Sequence, residues 1–350
     1  MRTFADFPRI LRSREFVVGT FVKSTDPATI EVLARSSIDF VVIDAEHAPF
    51  GRRELDLCVL AAREGQLPAL VRVPSGESVW IQQALDIGAS GVVVPHVRNA
   101  AEAAAVARIA HFGPGGRGFA GSTRAAEYTT RNIETHLSQS ADSVLVVAQI
   151  EDADAVEQAE AIAGVVGIDA IFIGPVDLTI SLDKTATSDP LVVAAIGRIT
   201  EGVRRAGKPL GTFVASTKDL AAYDARGLTF VLAKSDQSFV LGGANAVAAE
   251  FGCHRLREAD DAVLGRRVDV GSETRAQSGG ARRVDDRAGR TVGPATLSDH
   301  CPGGVLDAVE DAAQEHVDRP LPFTTGNLGN RSDGAENSGV VEHAVDATEV

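Results

Sequence analysis

The chain has 350 residues, is 44% hydrophobic and carries a formal net charge of −14, a length that holds one large α/β domain or two ordinary ones. The acidic balance excludes the basic face that a nucleic acid or an anionic membrane surface requires. Three scattered cysteines, Cys58, Cys253 and Cys301, form no Cys-x-x-Cys pair, which argues against a disulfide framework or a zinc site and fits a reducing cytoplasm.

The first residues, Met1 to Pro8, lack the apolar segment of a signal peptide, and no apolar run in the chain is long enough to span a bilayer. From there to about residue 252, short apolar runs alternate with Ala-rich helical stretches. The runs are Val17 to Phe21, Phe40 to Asp44, Ala69 to Arg72, Gly91 to Val94, Val144 to Gln149, Ala170 to Ile173, Leu210 to Phe213 and Phe230 to Ala233. Helices are expected between them, for example over Asn99 to His111 and Asp154 to Ala163. Strand–helix alternation implies βαβ units and a parallel sheet. Eight runs in about 250 residues match the size of a (β/α)8 TIM barrel. A doubly wound open sheet competes, but no Gly-x-Gly-x-x-Gly follows the first strand.

Beyond about Cys253 the character changes. Lysine is absent after Lys234, large aliphatics thin out, and Phe323 is the single Phe, Tyr or Trp. Stretches such as Gly271 to Gly280 cannot bury enough apolar surface to offset chain entropy. The expected organisation is therefore a barrel over 1–252 followed by a low-complexity, disordered tail over 253–350, with one amphipathic segment at Val305 to Val317. The abrupt shift suggests an appended or frame-shifted C-terminus rather than a second enzyme domain.

In such a barrel the C-terminal strand ends share one mouth. The second run ends in Asp44, Glu46 and His47, the third in Arg72, the fifth in Gln149 and Glu151, and the sixth in Gly174, Pro175, Val176 and Asp177. Glu151 and Asp177 are candidate ligands for a hard divalent cation such as Mg²⁺ or Mn²⁺; acids here also suit helix N-termini. Arg72 can hold a carboxylate or a developing enolate oxygen, and its loss is expected to depress turnover far more than folding. His47 is a candidate base oriented by Asp44, with Glu46 in a supporting role. The glycine-rich segment Phe112 to Ser122 lacks the Gly-Lys-Ser/Thr ending of a phosphate-binding loop and reads as a substrate-covering loop, with Arg117 or Arg124 facing the mouth.

Five segments in order, Asp44-Ala45-Glu46-His47-Ala48-Pro49, Val71-Arg72-Val73, Val94-Pro95-His96-Val97, Gln149-Ile150-Glu151 and Phe172 to Leu178, resemble the HpcH/HpaI-type aldolases over about residues 4 to 252. That family comprises metal-dependent, pyruvate-specific 4-hydroxy-2-oxoheptanedioate and 2-keto-3-deoxy-sugar-acid aldolases. The resemblance implies a (β/α)8 barrel, a homo-oligomer (a hexamer or trimer of dimers exchanging their last helix), and a divalent metal (Mg²⁺, Mn²⁺ or Co²⁺). It implies Glu151 and Asp177 as metal ligands, Arg72 on pyruvate and its enolate, and His47 with Asp44 as the base. Gln149, Gly174, Pro175 and Val176 would hold the pyruvate carboxylate, and Ser122 and Arg124 would contact substrate. The family's Arg-Gly-x-Gly…Ala-Arg-Ala segment departs here to Arg117-Gly118-Phe119-Ala120-Gly121-Ser122-Thr123-Arg124-Ala125-Ala126, which bears on aldehyde choice.

Three alternatives stand beside this reading. Lys234 after the eighth run could support Schiff-base, metal-free chemistry, or be a surface lysine paired with Asp236. A citrate-lyase-like enzyme acting on acyl-CoA thioesters is the second, and a catalytically impaired metabolite-binding barrel the third.

Overall fold

The computed structural model describes residues 4–215 and 227–252; the expectations for 253–350 lie outside these residues. Eight parallel strands close in chain order into a barrel, and no open sheet edge is left to protect. They are β1 (Val17–Val22), β2 (Phe40–Asp44), β3 (Ala69–Arg72), β4 (Gly91–Val94), β5 (Leu145–Ile150), β6 (Ala170–Ile173), β7 (Leu210–Val214) and β8 (Phe230–Ser235). Each apolar run read from the sequence is one of these strands.

Outside the strands pack α2 (Pro27–Leu33), α3 (Arg52–Glu64), α4 (Ser78–Asp86), α5 (Ala100–Ala110), α6 (Ile133–Ser143), α7 (Ala159–Ala163), α8 (Pro175–Ser181) and α9 (Pro190–Ala206). Asp26, Asn99, Asn132 and Asp189 cap α2, α5, α6 and α9, each side chain accepting a backbone N–H of the first turn. The helix expected from Asp154 is split: a 3-10 turn, Ala153–Gln158, leads into a five-residue α7. A further helix, α10, runs over 236–252. Among the described residues no helix is long and apolar enough to cross a membrane.

Strand alternation builds two cores. Val41, Ile43, Val71, Val92, Val94, Val146 and Ile171 face outward and join the helices in the larger cluster. Phe21, Phe40, Val42, Leu70, Val93, Val147, Phe172, Phe230 and Leu232 face inward and fill the lumen. The lumen accommodates its phenylalanine rings because glycines stand opposite them: a Cβ on Gly19 would lie 2.6 Å from the Phe40 ring, and one on Gly211 2.2 Å from that of Phe230. At the N-terminal end α1 (Phe7–Arg12) plugs the barrel. Phe7 meets Phe40 at 4.9 Å between ring centroids, and Arg12 Nε donates to Asp169 at 2.8 Å. With that end sealed, the opposite end is the mouth.

Candidate active site

The inward positions that carry Phe and Val low in the barrel carry polar groups one layer higher. Phe40 and Val42 are followed on the same face by Asp44, Leu70 by Arg72, and Val147 by Gln149. Register then makes them neighbours, since Asp44 pairs with Arg72 across β2 and β3. Asp44, Arg72, Gln149 and Glu151 are all buried.

Arg72 is gripped on several sides. Its Nε donates to Asp44 Oδ1 at 2.9 Å and its Nη2 to Asp44 Oδ2 at 2.8 Å. Glu46 Oε2 lies 3.3 Å from the same Nε, and the guanidinium sits over the Phe21 ring, 4.5 Å from its centroid. Such a bidentate fork fixes the plane of the cation. Asp44 also accepts the His47 backbone N–H at 3.2 Å and lies 3.4 Å from Lys23 Nζ. Burial alone would raise the Asp44 carboxyl, but the hydrogen bonds and charge of Arg72 outweigh it and hold it below its ordinary value.

The expected Asp44–His47 pairing therefore takes another form. Asp44 holds the His47 backbone, while the His47 ring lies beside Glu46, Nε2 to Oε2 at 3.5 Å. Burial, then the charge of Arg72, lowers the His47 pKa from its ordinary value, which favours the neutral imidazole. Glu46, read from the sequence as a supporting residue, stands at the centre: it faces Arg72, His47 and, at 3.9 Å, His96 Nε2. Burial, with repulsion from Glu151 and Asp44 and partial relief from Arg72, pushes its carboxyl up to about 7.

Glu151 follows β5 on the far side. Its Oε1 accepts the His96 backbone N–H at 3.0 Å, and Gln149 Nε2 donates to its Oε2. Burial raises its pKa despite those bonds, and Asp177 adds to the rise. Asp177 sits in the first turn of α8, half-buried. Gly174 lets β6 pass close behind this corner, since a Cβ there would fall 2.6 Å from Glu151 Oε2. One donor atom each from Glu46, His96 and Glu151 lies within 4.8 Å of the others; Asp177 is outside that group.

The corner suits a divalent cation. Five carboxylates, Asp44, Glu46, Glu151, Asp152 and Asp177, line this corner, with Arg72 beside Asp44 and Glu46 and Lys23 beside Asp44. Glu46 Oε2 and Gln149 Oε1 are buried without a hydrogen bond, a costly state that a bound ion or substrate relieves. Oxygen-rich, charge-deficient sites of this kind take hard divalent ions.

Other candidates lie elsewhere. Ser122 is exposed. Arg124 Nη1 binds Asp56 Oδ1 at 2.5 Å and the Ile87 carbonyl at 2.9 Å, and Arg117 Nε binds Asp86 at 3.1 Å. Both arginines are committed to α3 and α4 rather than to the mouth. The Asp236 carboxylate accepts the backbone N–H groups of Lys23 and Ser24 at 3.0 and 2.8 Å. Lys234 itself has a left-handed backbone, φ 59°, beside an irregularity where β1 pairs with β8. Lys23 and His96 were missed by sequence reasoning, although each directly follows a strand or its Pro; the ends of the first and fourth runs held the signal.

The chain is similar to known proteins along the whole barrel. The chain is 37% identical over 249 residues to a 4-hydroxy-2-oxovalerate aldolase of Rhodococcus jostii (strain RHA1), covering 70% of this chain and 95% of that one. It is 32% identical over 247 residues to a 5-keto-4-deoxy-D-glucarate aldolase of Enterobacter sp. (strain 638), covering 70% and 96%. A crystal structure of an HpcH/HpaI aldolase/citrate lyase family protein from Burkholderia cenocepacia J2315 superposes with a TM-score of 0.66 at 29% identity, over 71% of this chain and 99% of that one. The sequence profile of that family matches residues 17–241, a span that holds every strand of the barrel and every residue of the mouth described above, and the chain belongs to the HpcH/HpaI aldolase/citrate lyase family.

Proposed function

We propose that the protein is a divalent-cation-dependent carbon–carbon lyase that reversibly cleaves a 4-hydroxy-2-oxo acid or a 2-keto-3-deoxy sugar acid to pyruvate and an aldehyde. The observation that carries this reading is Arg72, locked by Asp44, Glu46 and Phe21 and facing the carboxylate corner of Glu46 and Glu151. The names of the relatives, aldolases of a hydroxy-oxo acid and of a keto-deoxy sugar acid, support it.

Glu151 and Asp177 would hold the cation, with Glu46 within reach. When bound, it supplies Lewis acidity toward a keto oxygen. The chain's own groups do the rest. Asp44 fixes Arg72 through Nε and Nη2, and among the described residues no hydrogen bond occupies Nη1, the donor left for an enolate oxygen. His47, half-exposed and with its pKa lowered by burial and Arg72, takes a proton from the substrate and returns it. The Gln149 amide and the backbone from Gly174 through Val176 to Asp177, at the start of α8, receive the pyruvate carboxylate, because the first N–H groups of a helix lack internal partners. Ser122 and Arg124 would act in aldehyde choice only from a surface shared with another copy, in the homo-oligomer proposed here as a hexamer or trimer of dimers.

The test is a pyruvate-release screen over hydroxy-oxo acids with chelator-stripped protein. Expected is release restored by Mg²⁺, Mn²⁺ or Co²⁺. Release untouched by stripping, with pyruvate trapped by borohydride on Lys234, rejects the metal route. Cleavage of acyl-CoA thioesters alone would move the protein to the citrate-lyase-like reading.

A further inference from the structure

His96 is a part of the mouth that the scheme above leaves unused. It follows β4 and Pro95, and its backbone is left-handed at φ 56°, uncommon for a residue with a side chain. Its ring is set among three carboxylates. Nδ1 lies 3.1 Å from Asp152 Oδ2 and 3.5 Å from Glu151 Oε1, and Nε2 faces Glu46 Oε1 at 3.9 Å. The last separation is too long for a hydrogen bond. The backbone N–H of His96 meanwhile pins Glu151 Oε1 at 3.0 Å.

This is the pattern of a ligand held ready. Metal-binding histidines characteristically give one ring N–H to a carboxylate, which sets the tautomer and aims the other nitrogen. With Nδ1–H given to Asp152, the lone pair of Nε2 is directed toward the Glu46 side. A second observation concerns the neighbour of Glu151: the Gln149 amide, only 1% exposed, spends Nε2 on Glu151 and leaves Oε1 buried without a hydrogen bond. We propose that His96 is a nitrogen ligand of the cation site, added to Glu151 and Asp177 on the side that Glu46 faces, and that Asp152 is its positioning carboxylate. The inference rests on the divalent-cation reading of the mouth and sharpens it. Imidazole favours borderline ions, so the site prefers Co²⁺, Ni²⁺ or Zn²⁺ to Mg²⁺.

The test uses the full chain loaded with Mn²⁺, read by electron spin echo modulation from ¹⁴N, with Co²⁺ and Mg²⁺ affinities by calorimetry. Expected is ¹⁴N modulation in the native protein and in His47→Gln, lost in His96→Gln. Co²⁺ affinity should fall roughly 100-fold in His96→Gln and roughly tenfold in Asp152→Asn, with Mg²⁺ changed less than about threefold. Mn²⁺ bound without ¹⁴N modulation overturns the inference and leaves the cation reading standing, as does modulation that survives His96→Gln or vanishes in His47→Gln. No Mn²⁺ bound at all overturns both. If His96→Gln does not fold, Asp152→Asn decides: unchanged Co²⁺ affinity rejects the proposal.

Discussion

Arg72 shows how burial reshapes a prediction made from residue type. Read as a strand-end guanidinium, its removal should cost turnover and spare the fold. In the structure it is the partner of a fully buried Asp44, and breaking such a pair strands a charge, at about 3–5 kcal/mol. Arg72→Ala should therefore lose both stability and turnover and cannot separate them. Arg72→Lys keeps the charge and discards the fork. The expected outcome is a melting temperature within a few degrees of the native protein and turnover lowered by about 10²–10³, the scale of a lost transition-state donor; unchanged turnover removes Arg72 from the chemistry. Asp44, Glu46, Arg72, Gln149 and Glu151 were legible because each ends an apolar run. The division of labour among them was not, since it depends on which oxygen meets which N–H.

At the level of elements, two packing features carry their own predictions. Gly211 lies under the Phe230 ring, where a Cβ would sit 2.2 Å away. Gly211→Ala should destabilise by about 1–3 kcal/mol as an overpacking change, seen as a melting-temperature fall of roughly 2–4 °C per kcal/mol in a domain of this size. An unaltered melting temperature would mean the ring moves aside freely. The second feature is His136 on α6, buried between Phe112 and Phe119, with neither ring nitrogen hydrogen-bonded. Burial, then the charges of Arg117 and Arg131, lowers its pKa below the ordinary 6.5. Above that value the ring is neutral in both folded and unfolded chains and contributes nothing. Below it the unfolded chain takes up the proton first, so stability falls as pH drops from 6.5 toward the folded value. His136→Phe should reduce the loss in melting temperature between pH 7.5 and 5.5; an identical loss in both proteins would exonerate His136.

The whole molecule raises the question of assembly. On α10, Phe239, Val240, Leu241, Val247 and Phe251 are exposed, an apolar surface of the kind that monomers seldom leave bare. The proposed homo-oligomer would cover it with a second copy. Leu241→Asp should then shift the particle to a smaller mass in light scattering while the barrel still melts cooperatively, and an unchanged mass would place the interface elsewhere. A chain ending at 252 is expected to match the full chain in pyruvate release and in the number of copies per particle. A different oligomer in the shorter chain would show that residues 253–350 take part in assembly.

The sequence by itself determined the barrel and the layer in which its chemistry sits. Continuous Val/Ile runs can be satisfied only by strands buried on both faces, and period-two alternation then turns Asp44, Arg72 and Gln149 into the lumen beside one another. What only the tertiary structure decided is who pairs with whom. Strand closure brings residues from β2, β3, the β4 end and β5 together across long stretches of chain, and one guanidinium cannot serve every carboxylate equally. That competition gave Asp44 to Arg72, left Glu46 at the centre with its pKa pushed up to about 7, and set His96 between Glu46, Glu151 and Asp152. It also tied Arg124 to Asp56 and the Ile87 carbonyl. No spacing rule in the chain encodes these choices, because they follow from distances between residues on different strands.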